Sequence, residues 1–338
     1  METCREHFRH GLIPAVPVPF TADGVIDPAA QKQYIAKMNE QPIAGVAVWA
    51  HTGRGLLMSR EQRNQVLAAW SEGLGYDKLV VTGVGGCPKG ASDYSSFLAS
   101  ALETAKDAQA GGAHAFLVHP PTVLRDLPGA SSDEKENYIF EYHKELAATG
   151  TPLILFYLYE AAGGVSYSPA LLRRLFALPE IIGIKLATLD SVMTYQDVAK
   201  LVAAEFPEKL MITGEDRFLG YSLMCGAQSA LIGMGAGCTA LQRRCLKAFF
   251  DGRMSEFQEL SARVDRLAQV TFVAPMEGYI RRMLWVMVHE GVIPAESAHD
   301  PWGPELQEGE FDRIGQTLHA LGEIPTAPLK ATQIKADV

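Results

Sequence analysis

Short apolar runs alternate with longer amphipathic stretches along most of the chain. The runs that predict strands are Ile13–Phe20, Gly45–Trp49, Leu79–Gly83, Ala115–His119, Pro152–Tyr157, Ile181–Lys185, Leu210–Thr213 and Ser229–Gly233. Most are nearly unbroken rather than alternating, which is the pattern of strands buried on both faces of a parallel sheet. Between them, helical periodicity predicts Arg60–Gly73, Ala91–Ala110, Asp133–Ala148, Ser168–Ala177 and Ser191–Glu205. Eight β-then-α units within about 250 residues match an α/β fold of the (β/α)8 TIM-barrel type. An open doubly wound sheet is the competing architecture, although it usually has fewer strands.

Beyond the eighth run the strands stop. Thr239–Asp251, Met254–Val270, Pro275–Glu290 and Glu310–Leu321 all read as amphipathic helices. The first closes the barrel, and the other three form a C-terminal helical appendage. The expected division is a barrel over residues 1–251, the appendage over 252–325, and a patternless tail over 326–338 that is expected to be partly disordered.

Composition narrows the class without choosing a function. The 338 residues, 48% hydrophobic and 20% charged, are ordinary for a soluble globular chain with a sizeable core. A net charge of −9, spread along the sequence, argues against nucleic acid or an anionic membrane as partner. The N-terminus METCREHFRH carries no signal-like apolar run, and no stretch is long enough to read as a membrane span. Five cysteines without a C-x-x-C pair point to a reducing compartment, so a cytoplasmic protein is expected. The nine histidines lack H-x-H and H-E-x-x-H spacing, so no metal or other cofactor is expected.

Catalytic groups of such barrels sit at the C-terminal ends of the strands. Lys185 ends the run Ile181-Ile182-Gly183-Ile184, so its stem lies among apolar neighbours. Desolvation favours the neutral amine, the form that an imine-forming nucleophile requires. The plainer alternative is a lysine that caps its strand and reaches solvent. Tyr157 ends the preceding strand, where a phenol can pass protons to the same cavity; it can equally pack the barrel top, and Tyr159 competes for the role. Thr52 and Gly53, in Ala50-His51-Thr52-Gly53-Arg54-Gly55, form a tight turn with a hydroxyl and exposed N–H groups suited to a carboxylate. Gly233-Met234-Gly235-Ala236-Gly237 is either a phosphate loop or a close-packing turn, and the latter is favoured.

Taken together, these residues resemble the dihydrodipicolinate synthase / N-acetylneuraminate lyase family over residues 10–322. The similarity runs through Gly11-Leu12-Ile13-Pro14, Pro19-Phe20, Asp23-Gly24-Val25-Ile26-Asp27, the Thr52-Gly53 turn with Leu57 and Glu61, and Gly83-Val84-Gly85. Its most specific part is Tyr157 with Gly164, then Ile182-Gly183-Ile184-Lys185, with tyrosine and lysine 28 residues apart. The resemblance implies that Lys185 forms the imine, Tyr157 shuttles protons and the Thr52-Gly53 turn holds a 2-oxo acid carboxylate. It also implies that Leu231 lines the site through its backbone and that the protein is a homotetramer. Met283, Trp285 and Met287 on the appended helices offer apolar surface for such an assembly.

Departures from the family pattern bear on the substrate. His51 stands where the family has a hydroxyl, Thr122 where the synthases carry a relay tyrosine, and Ala162 where they carry an arginine for the second substrate. The expected function is therefore a Schiff-base class I lyase, an aldolase or dehydratase acting on pyruvate or a sugar-derived 2-oxo acid. His51, Glu160 and Glu215 are candidates for the acid/base step at the distal hydroxyl, and Arg54 or Arg125 for a substituted charge. The alternatives are a true dihydrodipicolinate synthase, a non-catalytic 2-oxo acid sensor and, more remotely, a sugar-phosphate isomerase.

Overall fold

The computed structural model describes residues 1–87, 93–124, 131–189 and 191–324. The expected tail over 326–338, Arg125, and the first residues of the helix expected from Ala91 lie outside these. Eight parallel strands form the centre: β1 (Leu12–Pro14), β2 (Gly45–Val48), β3 (Leu79–Val84), β4 (Ala115–Val118), β5 (Leu153–Leu158), β6 (Ile181–Ala187), β7 (Leu210–Thr213) and β8 (Ser229–Ile232). Their hydrogen-bonded order runs β1-β8-β7-β6-β5-β4-β3-β2. A parallel bridge between Ala15 and Ala47 brings the two ends together into a barrel.

After a first helix, α1 (Glu2–Phe8), a helix follows each strand: α2 (Pro28–Asn39), α3 (Arg60–Gly73), α4 (Tyr94–Ala110), α5 (Ser132–Ala147), α6 (Pro169–Phe176), α7 (Val192–Glu205), α8 (Leu219–Met224) and α9 (Thr239–Phe250). Their starts are chemically marked. Ser59, Asp93 and Ser131 close capping boxes with Gln62, Ser96 and Glu134, while Asp27, Ser168 and Ser191 cap α2, α6 and α7. Inside the barrel lie Ile13, Ala47, Val81, Leu117, Ile154, Phe156, Ile212 and Leu231, and a second buried layer separates strands from helices.

Three helices were not legible in the sequence. In the charged N-terminal segment, α1 drives Phe8, with no exposed surface, into the barrel interior. The apolar stripe of α2 is diluted by polar residues, and α8 is too short to show periodicity. The run expected as one strand to Phe20 stops at Pro14, because Pro14, Pro17 and Pro19 have no N–H to give a ladder.

The appendage consists of α10 (Met254–Thr271), α11 (Tyr279–His289) and α12 (Glu310–Ala320), the three helices expected. Arg282, fully buried, ties them together by donating to Glu310 and to the carbonyls of Val273 and Pro275. Leu260, Val264, Leu267 and Ile314 continue the same core that packs the barrel helices. Met283 and Met287 are buried within the chain, and Trp285 packs edge-on against Phe311. The two methionines expected on spare assembly surface are therefore internal contacts, and Trp285 is half-buried.

Candidate active site

Lys185 lies on β6, where a one-residue irregularity sets the geometry. Leu153 pairs with Ile181, but Ile154 pairs with Gly183, so Phe156 stands beside Lys185. The Phe156 ring centroid is 4.2 Å from Lys185 Nζ. The lysine stem runs over Gly214, where an added Cβ would come within 2.6 Å of Lys185 Cε. Burial of Lys185, 6% exposed, pulls its ammonium below the ordinary lysine range, with Asp216 and Glu215 pulling it back up.

Asp216 is also buried. Burial raises its carboxyl well above the usual aspartate range, against the lowering effects of a hydrogen bond from Met234 N–H at 2.7 Å and of Lys185. The amine and the carboxyl thus have their affinities for a proton brought together, and both line one cavity. A weakened ammonium beside a strengthened carboxylic acid is suited to proton exchange near neutral pH.

That cavity is narrow, about 30 Å³, with Phe156, Leu158, Tyr159 and Gly233 in its walls and Thr52 and Tyr279 across it. Through His51 and Leu158 it adjoins an outer cleft of about 330 Å³ between the ends of β2, β4 and β5. Thr52 Oγ1 and Tyr279 Oη are 2.9 Å apart. A side chain at Gly233 would meet both, at 2.9 Å from Tyr279 Cε2 and 3.2 Å from Thr52 Oγ1. Among the described residues, no hydrogen-bond acceptor takes the N–H of Thr52 or Gly53.

The appendage reaches back over this turn. His51 Nε2–H donates to Glu277 at 2.9 Å. Arg54, backbone in the left-handed region at φ 53°, gives Nη1 to Glu277 at 2.6 Å and forks Nε and Nη2 onto Asp300. Burial alone would raise the Glu277 carboxyl, but the His51 and Arg54 contacts outweigh it and hold it at about 2.

Several expected residues stand elsewhere. Side chains alternate along β5, so Ile154, Phe156 and Leu158 face the barrel and Tyr157 faces outward. Its ring lies edge-on against Tyr167, centroids 5.5 Å apart, and it does not line the cavity. Leu231 pairs with Ile13 in the barrel core below, and Gly233 is the residue that reaches the cavity. Glu215 is fully buried and accepts from Thr188 N–H at 2.5 Å and Leu189 N–H at 3.0 Å. This holds it on the β6–α7 connection, outside the cavity. Glu160 takes a hydrogen bond from Ser166 and lines neither cavity. Arg54 is occupied by two carboxylates and has no fork left for a substrate. Lys185, Thr52 and His51 do meet at one mouth, with Gly53 in the adjoining turn, and Thr122 and Ala162 line the outer cleft.

Sequence reasoning missed Phe156, Asp216, Glu277 and Tyr279. Asp216 carried a signal, its position just past the seventh strand. Glu277 and Tyr279 carried none, since nothing in a helical appendage says that it folds over the barrel mouth. Among the described residues, no cluster of His, Cys, Asp or Glu is arranged to hold a metal, and no helix is long and apolar enough to cross a membrane.

Comparison with known proteins agrees with this architecture. The chain is 26% identical over 260 residues to a 4-hydroxy-tetrahydrodipicolinate synthase of Stenotrophomonas maltophilia, covering 74% of this chain and 80% of the relative. It is 24% identical to a probable mitochondrial 4-hydroxy-2-oxoglutarate aldolase of Emericella nidulans, over 75% of this chain and 79% of that one. Among solved structures it is similar to YagE of Escherichia coli in complex with pyruvate, with a TM-score of 0.77, 22% identity, and coverage of 92% and 98%. The sialic acid aldolase of Ruminococcus gnavus gives a TM-score of 0.76 at 19% identity, with coverage of 94% and 99%. The model of the dihydrodipicolinate synthetase family matches residues 9–321, and the chain belongs to that family.

Proposed function

We propose that the protein is a class I lyase, an aldolase or dehydratase, that binds a 2-oxo acid as a Schiff base on Lys185. One observation carries this reading: an amine of depressed basicity, buried at a barrel mouth beside a carboxyl of raised pKa. In the aldolase direction, the neutral amine attacks the ketone carbon and water leaves as the imine forms. A base then takes the proton of the C4 hydroxyl, the C3–C4 bond breaks, and its electron pair passes toward the protonated imine. The aldehyde departs, the enamine takes a proton at C3, and water releases pyruvate and the free amine.

Asp216 is suited to exchange these protons, and Tyr159 supplies a phenol at the cavity wall. The proton-shuttle role that resemblance gives Tyr157 is supported by spacing alone; its outward ring speaks for Tyr159. Phe156 faces a cation both before and after condensation, first the ammonium and then the iminium. The Thr52 and Gly53 N–H groups are suited to the 2-oxo acid carboxylate. The 4-hydroxy-2-oxoglutarate aldolase among the relatives and the pyruvate held by YagE support this substrate class. Condensation with aspartate semialdehyde is disfavoured, because Ala162 and the doubly paired Arg54 leave its carboxylate without a described guanidinium.

Borohydride added with pyruvate leaves a reduced adduct on Lys185, read by peptide mass. An unmodified Lys185 in that experiment ends the proposal. Lys185→Ala stays folded by circular dichroism and loses all turnover. A cytoplasmic homotetramer completes the proposal; a monomer near 36.7 kDa in light scattering contradicts the assembly.

A further inference from the structure

Resting on that reading, we infer that C4 of the substrate carries an apolar group, an aryl or compact alkyl group, rather than a polyhydroxylated chain. The outer cleft adjoins the narrow lysine cavity through His51 and Leu158, so it is where atoms beyond C3 of a bound 2-oxo acid must go. Its volume of about 330 Å³ exceeds the roughly 150 Å³ that holds benzene in a protein interior.

Among the described residues the lining is mostly apolar. Leu56, Leu57, Pro120, Leu158 and Ala162 face it, with Gly55 and Gly163 adding backbone. Leu57 keeps 38% of its surface exposed at the cleft edge, an apolar side chain that a bound apolar group would cover. The polar side chains of the lining are mostly committed to partners within the protein. Arg54 is shared between Glu277 and Asp300, and His51 Nε2–H goes to Glu277. His119 gives Nε2–H to the Trp49 carbonyl at 3.0 Å, and burial lowers its pKa to about 4, so it is neutral. Thr122 adds one hydroxyl, and its methyl faces Gly163.

A sugar chain would bring several hydroxyls to this surface. Each one stripped of water without a partner weakens binding on the order of tenfold. An aryl group needs no partners and gains from leaving water.

The test compares two 4-hydroxy-2-oxo acids. For 4-hydroxy-4-phenyl-2-oxobutanoate, breaking C3–C4 and moving the hydroxyl proton to the protein yields benzaldehyde. Protonation of the enamine and hydrolysis then yield pyruvate, so one substrate gives two products with no oxidant. The other compound is 2-dehydro-3-deoxy-D-gluconate. Pyruvate release, followed by coupled reduction, is expected to show kcat/KM at least ~30-fold higher for the phenyl compound. In Leu57→Gln that ratio is expected to fall about fivefold or more, as the apolar cleft edge becomes polar.

Borohydride trapping of pyruvate is run alongside to separate the two proposals. Trapping on Lys185 with faster cleavage of the sugar acid, or with neither compound cleaved, overturns the apolar subsite and leaves the imine standing. No trapping on Lys185 overturns both.

Discussion

Tyr157 and Tyr159 are two residues apart, yet only Tyr159 lines the cavity that holds Lys185. Strand alternation governs Tyr157, whereas β5 ends at Leu158 and Tyr159 escapes it by turning into the following 3-10 turn. Tyr159→Phe is expected to lower kcat by ~10²-fold or more, the usual worth of a positioned proton-transfer group. Tyr157→Phe is expected to stay within about fivefold of the parent, since its ring meets Tyr167 and not substrate. Steady-state kinetics with equal circular dichroism spectra decide between them, and the reverse ranking would restore the role implied by spacing. The 28-residue separation from Lys185 was legible in the sequence. That Lys185 turns inward beside Phe156 was not, because it depends on the irregularity at Ile182, which resets the alternation of β6.

The charge of Asp216 acts on the pH dependence of Lys185. Imine formation requires the neutral amine, so its rate rises with pH along a limb set by Lys185, below the ordinary lysine value of ~10.4. The Asp216 carboxylate pulls the lysine upward, so removing its charge lowers the lysine further. In Asp216→Asn the ascending limb of single-turnover imine formation therefore moves to lower pH, while kcat falls by ~10²-fold from the lost proton exchange. An unmoved limb would mean that the two groups do not sense one another.

Among the elements, β6 and the end of β7 form a matched pair. The lysine stem crosses the position where any residue but Gly214 would carry a Cβ, 2.6 Å from Cε. Gly214→Ala is expected to push the amine off its line to the substrate and cost ~10²-fold in kcat. Borohydride trapping should slow in parallel, and an unchanged trapping rate would refute the steric argument. The helices that carried strong periodicity, such as Arg60–Gly73, stand where the pattern put them, because their apolar stripes face the buried layer. Elements without such a stripe were invisible: α8 has six residues, and α1 announces itself only through Phe8, which joins a buried cluster drawn from strands all round the barrel.

Over the whole molecule, barrel and appendage meet at Arg54. Its side chain is 7% exposed and that of Asp300 is 1% exposed, so removing Arg54 strands the Asp300 carboxylate out of water, and removing Asp300 leaves the buried Arg54 with Glu277 alone. Arg54→Ala or Asp300→Ala is expected to lose about 3–5 kcal/mol of stability in denaturant titration. Glu277 adds a pH dependence. Its folded pKa of about 2 lies below the ordinary 4.5, so its contribution is present above about 4.5 and fades as pH falls toward 2. Glu277→Gln should flatten that stretch of the stability–pH curve. The sequence disclosed the barrel and the three appended helices, since each is a local pattern. It did not disclose their meeting point, because Arg54 and its partners are joined only by folding.

That meeting point also fixes an order of events. A growing chain that has emerged as far as α9 holds all eight staves and Lys185, but not Glu277, Tyr279 or Asp300. The turn at Thr52 waits, unbraced, for residues about 230 to 250 positions behind it in synthesis. The lysine is thus made before the residues that brace the turn opposite it, and on the proposed function an unfinished chain would carry an imine-forming amine with no braced carboxylate seat.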